Sequence, residues 1–238
     1  MEYVILKGLI MKNNKNKMWT EFNKNKVKSN YPMWPNEVLV KIIFGNYLKN
    51  NININSNFKV LDVGCGFGNN LKPFLEMGCQ CYGTEITQEM AIQTKNILKQ
   101  TGYNADIVHG KNSSLPFNNN FFNLLISVNT IHYEEKEEKV QDALKEFNRV
   151  LNVNGRLVLL TVGPEHTIIK RSKVIKANEY EIQNYDFRDG TQFYCANSKK
   201  YLEYILSKYF CEIETGRVTE DMMTLYLDFL IGVCRPNK

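Results

Sequence analysis

From residue 58 to residue 162, short apolar runs alternate with helix-periodic ones, and no other feature constrains the fold as strongly. Val60-Leu61-Asp62-Val63 and residues 79–85, 105–109, 121–128 and 156–162 read as strands, apolar enough for burial on both faces. Residues 69–77, 88–100 and 134–150 read as helices, and Asn152-Val153-Asn154-Gly155 as the turn before the fifth strand. Strands joined through helices need crossover connections, so the expectation is an α/β fold: a doubly wound, mostly parallel sheet with helices on both faces. After a helix at 198–207, runs at 209–218 and 223–234 read as an antiparallel pair joined at Thr219-Glu220-Asp221. That pair closes one edge and brings the sheet to seven strands.

The rest of the chain attaches to this core. Residues 1–57 read as an N-terminal arm and helical cap, with a stiff turn at Tyr31-Pro32-Met33-Trp34-Pro35, an N-cap at Asn36 and a helix over 37–48. Residues 58–238 form the main domain, within which the polar, aromatic-rich stretch 163–197 is an insertion on the substrate side. At 238 residues and 43% hydrophobic composition the chain can bury one sizeable core. The formal charge of +5 is too slight to single out nucleic acid or a membrane as partner, and much of it sits in the N-terminal lysines. No apolar run approaches the roughly 20 residues of a membrane span. Six scattered cysteines with no secretory signal peptide ahead of them place the expectation in a reducing cytoplasm.

The chemistry concentrates where the first strand ends. Asp62-Val63-Gly64-Cys65-Gly66-Phe67-Gly68 puts three glycines between a strand and a helix, where a ligand can lie against the main chain. The spacing is G-x-G-x-G, not the dinucleotide G-x-G-x-x-G, and Asp62 two residues before the first glycine suits a ligand carrying an amine better than a pyrophosphate. Glu85, ending the second strand, is placed to accept both hydroxyls of a ribose.

Asp62 through Gly68, Glu85, the loop Gly110-Lys111-Asn112-Ser113-Ser114-Leu115-Pro116-Phe117, the run from Phe121 to Ser127, and Glu146 to Leu151 with Gly155 resemble, in order and spacing, the class I S-adenosylmethionine-dependent methyltransferases. More narrowly, they resemble the small-molecule branch with the Leu-Pro-Phe loop. The resemblance implies a Rossmann-like fold, S-adenosylmethionine as cofactor and methyl transfer to oxygen or nitrogen of a small, anionic or sugar-derived metabolite. It implies that Asp62, Gly64, Cys65, Gly66, Gly68, Glu85, Ile86, Asn112, Ser113 and Asn129 bind the cofactor. Lys111 stands where the family has an acid for the adenine amino group, which leaves Asn112 or a backbone carbonyl to take it.

Methyl transfer needs alignment, and a base only where the acceptor carries a proton. His132 and His166 follow the fourth and fifth strands and are the candidate general bases. Trp19, Tyr31, Trp34, Tyr185 and Arg188 are the candidate substrate contacts. Cys79-x-Cys81 lacks metal-ligand spacing, so no metal is expected. Two other readings stand beside this one: an RNA or protein methyltransferase holding its substrate with the basic arm, and an NAD-dependent oxidoreductase, which the glycine spacing disfavours.

Overall fold

The fold was analysed in a computed structural model, which describes residues 17–22, 24–25 and 34–238. Tyr31 and most of the lysine arm lie outside the described residues. Seven strands form one sheet: β1 (Lys59–Val63), β2 (Gln80–Glu85), β3 (Asp106–His109), β4 (Phe122–Val128), β5 (Leu151–Val162), β9 (Phe210–Met222) and β10 (Leu225–Pro236). Their order is β3-β2-β1-β4-β5-β10-β9. The first five run parallel, and β10 lies antiparallel between β5 and β9.

The period-two alternation of the apolar strands fills a core on each face. Leu61, Leu125, Leu157 and Leu159 point to the face covered by α4 (Glu137–Val150) and α6 (Lys199–Ser207), where Leu144, Phe147, Leu202 and Leu206 pack. Val60, Leu124, Ile126 and Val158 point to the opposite face, with Leu39 and Ile43 of α1 (Glu37–Phe44), Phe74 of α2 (Lys72–Glu76) and Leu98 of α3 (Gln88–Gln100). The expected helix over 69–77 is divided into a 3-10 turn, Asn69–Leu71, and α2. Pro73 has no N–H to give to the preceding turn, so it sits at the helix start.

Three sequence expectations shift. Residues 152–155 are not a separate turn ahead of the strand but a bulge within β5, since Phe122 pairs with Leu151 and Leu124 with Arg156. The hairpin turns at residues 223–224 and not at 219–221, which pair with 226–228. Within this hairpin Asp228, fully buried, accepts from Arg217 Nε at 2.7 Å and Nη2 at 2.9 Å. The described part of the arm is helical, with Trp19 edge-on to Tyr133 at 5.4 Å and Phe22 stacked on Phe187 at 4.2 Å.

Beyond the carboxyl end of β5, residues 163–197 form α5 (Thr167–Arg171) and a three-stranded antiparallel sheet of β6 (Lys173–Lys176), β7 (Glu179–Glu181) and β8 (Gln192–Tyr194). A small core of Val162, Ile168, Ile182 and Phe193 joins it to the main domain.

Candidate active site

The carboxyl ends of β1, β2 and β4 border a pocket of about 560 Å³. Gly64 and Gly66 line it at φ +68° and +57°, a backbone region that side chains with a Cβ seldom adopt. A Cβ on Gly64 would come within 2.4 Å of Thr130 Cγ2, whereas one on Gly66 would point into open space. The glycine loop is stitched to β2, for Cys65 N–H donates to the Thr84 carbonyl at 3.0 Å and Gly66 N–H to Glu85 Oε1 at 2.5 Å. Glu85 Oε2 takes Ile86 N–H at 3.2 Å. Asn129, also left-handed at φ +57°, and Thr130 extend from β4 into the pocket, and Lys111, Asn112 and Ser113 form the wall beyond β3.

A family model described as a methyltransferase domain matches residues 61–159, the span that carries these loops. The malonyl-acyl-carrier-protein O-methyltransferase of Buchnera aphidicola is 26% identical over 183 residues, covering 76% of this chain and 70% of its own. Residues 61–159 are thus similar to a methyltransferase domain. The fold of a solved S-adenosylmethionine-dependent methyltransferase of Methanosarcina mazei superposes with TM-score 0.66 at 19% identity, over 78% of this chain and 95% of that one. A Burkholderia thailandensis 1,6-didemethyltoxoflavin-N1-methyltransferase, solved with S-adenosylhomocysteine and its acceptor bound, does so with TM-score 0.59 at 16% identity, over 76% and 72% of the two chains. The match to a methyltransferase domain sets aside the reading as an NAD-dependent oxidoreductase.

The pocket floor is acidic and buried. Asp62 is 1% exposed; burial, with Glu85 nearby, holds its carboxyl well above the usual carboxylate range, and a hydrogen bond from Asn70 opposes this. Glu85 is 4% exposed, and burial pushes it up to about 7 against the Gly66 and Ile86 N–H bonds that favour its charged form. Two buried acceptors here, Asp62 Oδ2 and Asn129 Oδ1, have no hydrogen-bond donor among the described residues. Such atoms are costly unless a ligand supplies the donors.

Of the sequence-predicted residues, the pocket brings together Trp19, Gly64, Gly66, Glu85, Ile86, Asn112, Ser113 and Asn129, with Asp62 buried beside Glu85. Cys65 and Gly68 do not line it. Cys65 turns its sulfur against Gly83, where a Cβ would meet it at 2.7 Å, and Gly68 packs on Leu98 of α3. The 3-10 turn Ile131–Glu134 buries Ile131 and His132 and sets Tyr133 and Glu134 at the pocket, so His132 is a core residue. His132 packs on Phe193 at 4.6 Å, with Nδ1 3.4 Å from Thr161 Oγ1.

His166 caps α5, its Nδ1 accepting from Ile168 N–H at 3.0 Å, and is buried. Burial, with Arg188 adding to it, pulls its pKa down to about 4, so it is neutral near pH 7 with its proton on Nε2. Arg188 is clamped on Asp186, Nη2 to Oδ2 at 2.6 Å and Nε to Oδ1 at 2.9 Å, and stacks over Tyr185 at 5.0 Å; neither borders the pocket. Trp34 is 80% exposed and does not line the pocket.

The sequence reading passed over Thr130, Tyr133 and Glu134. Their signal was their position directly after β4, where ligand-facing residues of open α/β sheets gather. Asn112, which was singled out, is held by Glu134, its Nδ2 donating to Oε1 at 2.8 Å. Among the described residues no group of three or more His, Cys, Asp or Glu is placed to hold a metal ion, and no helix is long and apolar enough to cross a membrane.

Proposed function

We propose that this chain is a methyltransferase that binds S-adenosylmethionine in the 560 Å³ pocket and transfers its methyl group to oxygen or nitrogen of a small molecule. One observation carries the reading: two carboxylates, Asp62 and Glu85, end adjacent strands around a glycine loop, and Asp62 Oδ2 and Asn129 Oδ1 are buried acceptors without donors among the described residues. These atoms fit a ligand with a cationic amine and a diol. Asp62 and Asn129 would take the ammonium side, Glu85 the ribose hydroxyls, and Asn112 and Ser113 the adenine edge. Bound there, the cofactor supplies a methyl group already activated on a sulfonium.

The chain's own residues then align the acceptor and exclude water. Trp19 and Tyr133 wall the pocket with edge-to-face rings, and burial raises Tyr133 to about 12, so its phenol stays a hydrogen-bond donor and not a base. Neither candidate histidine is placed to take a proton from the acceptor, since His132 lies in the core and His166 uses its basic nitrogen as a helix cap. With neither histidine so placed, the acceptors favoured are those that need no base: a carboxylate or an unprotonated nitrogen. The name of the Buchnera relative, an O-methyltransferase of malonyl-acyl-carrier protein, makes a carboxylate the first class to test. The test incubates the full chain with methyl-labelled S-adenosylmethionine and panels of carboxylates, including malonyl-pantetheine thioester, and of amines. Label in a product that gains one methylene unit by mass spectrometry supports the reading. Label only in compounds whose acceptor is an un-ionised alcohol contradicts this choice of acceptor.

A further inference from the structure

Trp19 borders the pocket, although it belongs to the N-terminal arm and not to the sheet whose strand ends form the pocket floor. Its ring stands edge-on to Tyr133 at 5.4 Å and to Phe187 at 5.3 Å. Three positions on, Phe22 lies flat against Phe187 at 4.2 Å, with ring planes 14° apart. Residues three apart share a helix face, so the helical stretch 17–22 turns one aromatic edge towards Phe187 and the pocket together. Farther along the arm, Lys24 Nζ reaches Glu89 Oε1 at 2.5 Å, in the first turn of α3 just after the end of β2. The arm thus has two footholds, Phe187 in the 163–197 segment and Glu89 beside the β2 end, and it carries Trp19 to the pocket.

The footholds differ in strength. Lys24 and Glu89 are each about half exposed, and such a pair contributes little in water. The aromatic contacts carry the attachment, and Phe187 is a prepared platform for them. Arg188 Cζ lies 5.6 Å over the Phe187 ring and 5.0 Å over that of Tyr185, while its guanidinium is clamped on Asp186. Asp189 Oδ2 accepts from Asn184 N–H and Oδ1 from Tyr185 N–H, each at 3.0 Å, which fixes the loop that carries these rings. Arg188, though away from the pocket, therefore stiffens the surface on which the arm rests. A short helix attached mainly through one group of rings can open without disturbing the sheet beneath it.

We infer that residues 17–22, with Lys24, form a strap over the pocket, latched by the Trp19 and Phe22 rings on Phe187, which lifts to admit the cofactor and to release its product. The inference rests on the proposed function, in which S-adenosylmethionine occupies that pocket.

Two measurements on the full chain test it. The first needs no ligand: Trp34→Phe leaves Trp19 as the one tryptophan, and acrylamide quenching of its emission reports whether the ring is covered. Quenching should be weak in that parent and several-fold stronger once Phe187→Ala is added. Full quenching in the parent, or no gain with Phe187→Ala, overturns the inference. The second follows S-adenosylhomocysteine on the immobilised chain by surface plasmon resonance. Phe187→Ala should raise both the association and the dissociation rate, about fivefold to tenfold for the loss of the ring contacts, and change their ratio less than either. Faster dissociation with unchanged association marks a ring that only touches the ligand and overturns the strap, as do two unchanged rates. Phe187→Leu, which stays apolar but has no ring to stack, serves if the alanine variant melts early, and the same rises are expected. A parent that binds no S-adenosylhomocysteine removes the proposed function, and the quenching measurement still decides whether the arm is latched.

Discussion

Replacing Glu85 with Gln separates what the pocket costs the fold from what it does for the ligand. Burial raises the Glu85 carboxyl from its ordinary 4.5 to about 7, although Gly66 and Ile86 N–H groups both favour its charged form. The native state therefore keeps a proton that the unfolded chain has lost between those two values. Stability falls as pH rises through that window, and above pH 7 the full penalty applies, roughly 3 kcal/mol for a change of this size. Glutamine removes the charge and keeps an acceptor for Gly66 N–H, at the loss of the Ile86 contact, about 1 kcal/mol. Urea denaturation without cofactor should then show Glu85→Gln more stable than wild type by about 2 kcal/mol at pH 8, and no more stable at pH 5. The same variant should bind S-adenosylhomocysteine on the order of a hundredfold more weakly, since a carboxylate taking two hydroxyls becomes an amide. A stability difference that does not change between pH 5 and pH 8 would refute the reasoning, because it would mean that Glu85 is not desolvated in the folded chain.

Other substitutions probe the parts around it. Gly64→Ala must push a Cβ to 2.4 Å from Thr130 Cγ2 at a left-handed backbone angle; a loss of at least about 1–2 kcal/mol in denaturant unfolding is expected, with cofactor binding weakened as Thr130 shifts. Arg149→Ala removes the guanidinium that holds the Leu115 carbonyl at 3.0 Å and the Phe117 carbonyl at 2.8 Å beside Glu146. It should cost about 2–3 kcal/mol by the same measurement and loosen the loop that follows β3, seen as faster amide exchange over residues 110–117. His166→Ala should lose the α5 cap, worth about 1 kcal/mol, and leave kcat within about twofold; a hundredfold fall in kcat with the cap restored by His166→Asn would return His166 to the chemistry.

What could be read from the sequence was local in character. The strands of the parallel core and the Asp62 to Gly68 loop each declare themselves within a few residues, and Glu85 follows from the end of the second strand. What could not be read depended on contacts between distant segments or on one turn's geometry. Whether His132 or Tyr133 borders the pocket is decided by a single 3-10 turn, on which both rings pack against Phe193 and only Tyr133 of the two lines the pocket. Trp19 meets the rings of Tyr133 and Phe187, more than 100 residues away in sequence. Arg188 looked available for an anion because nothing in its pattern shows that Asp186 folds back to clamp it. The strands of the 163–197 segment are three or four residues long, too short for alternation to mark them. The hairpin turn was misplaced because the polar run Thr219-Glu220-Asp221 continues the strand, pairing with residues 226–228.

The central claim is that the glycine loop, Asp62 and Glu85 bind S-adenosylmethionine. Calorimetric titration of the full chain with S-adenosylhomocysteine tests it most directly. The account predicts saturable binding at one site per chain, lost when Asp62 and Glu85 are both replaced by Ala in a variant that still unfolds cooperatively. Binding that survives the double replacement, or a wild-type chain that takes no S-adenosylhomocysteine, would contradict it.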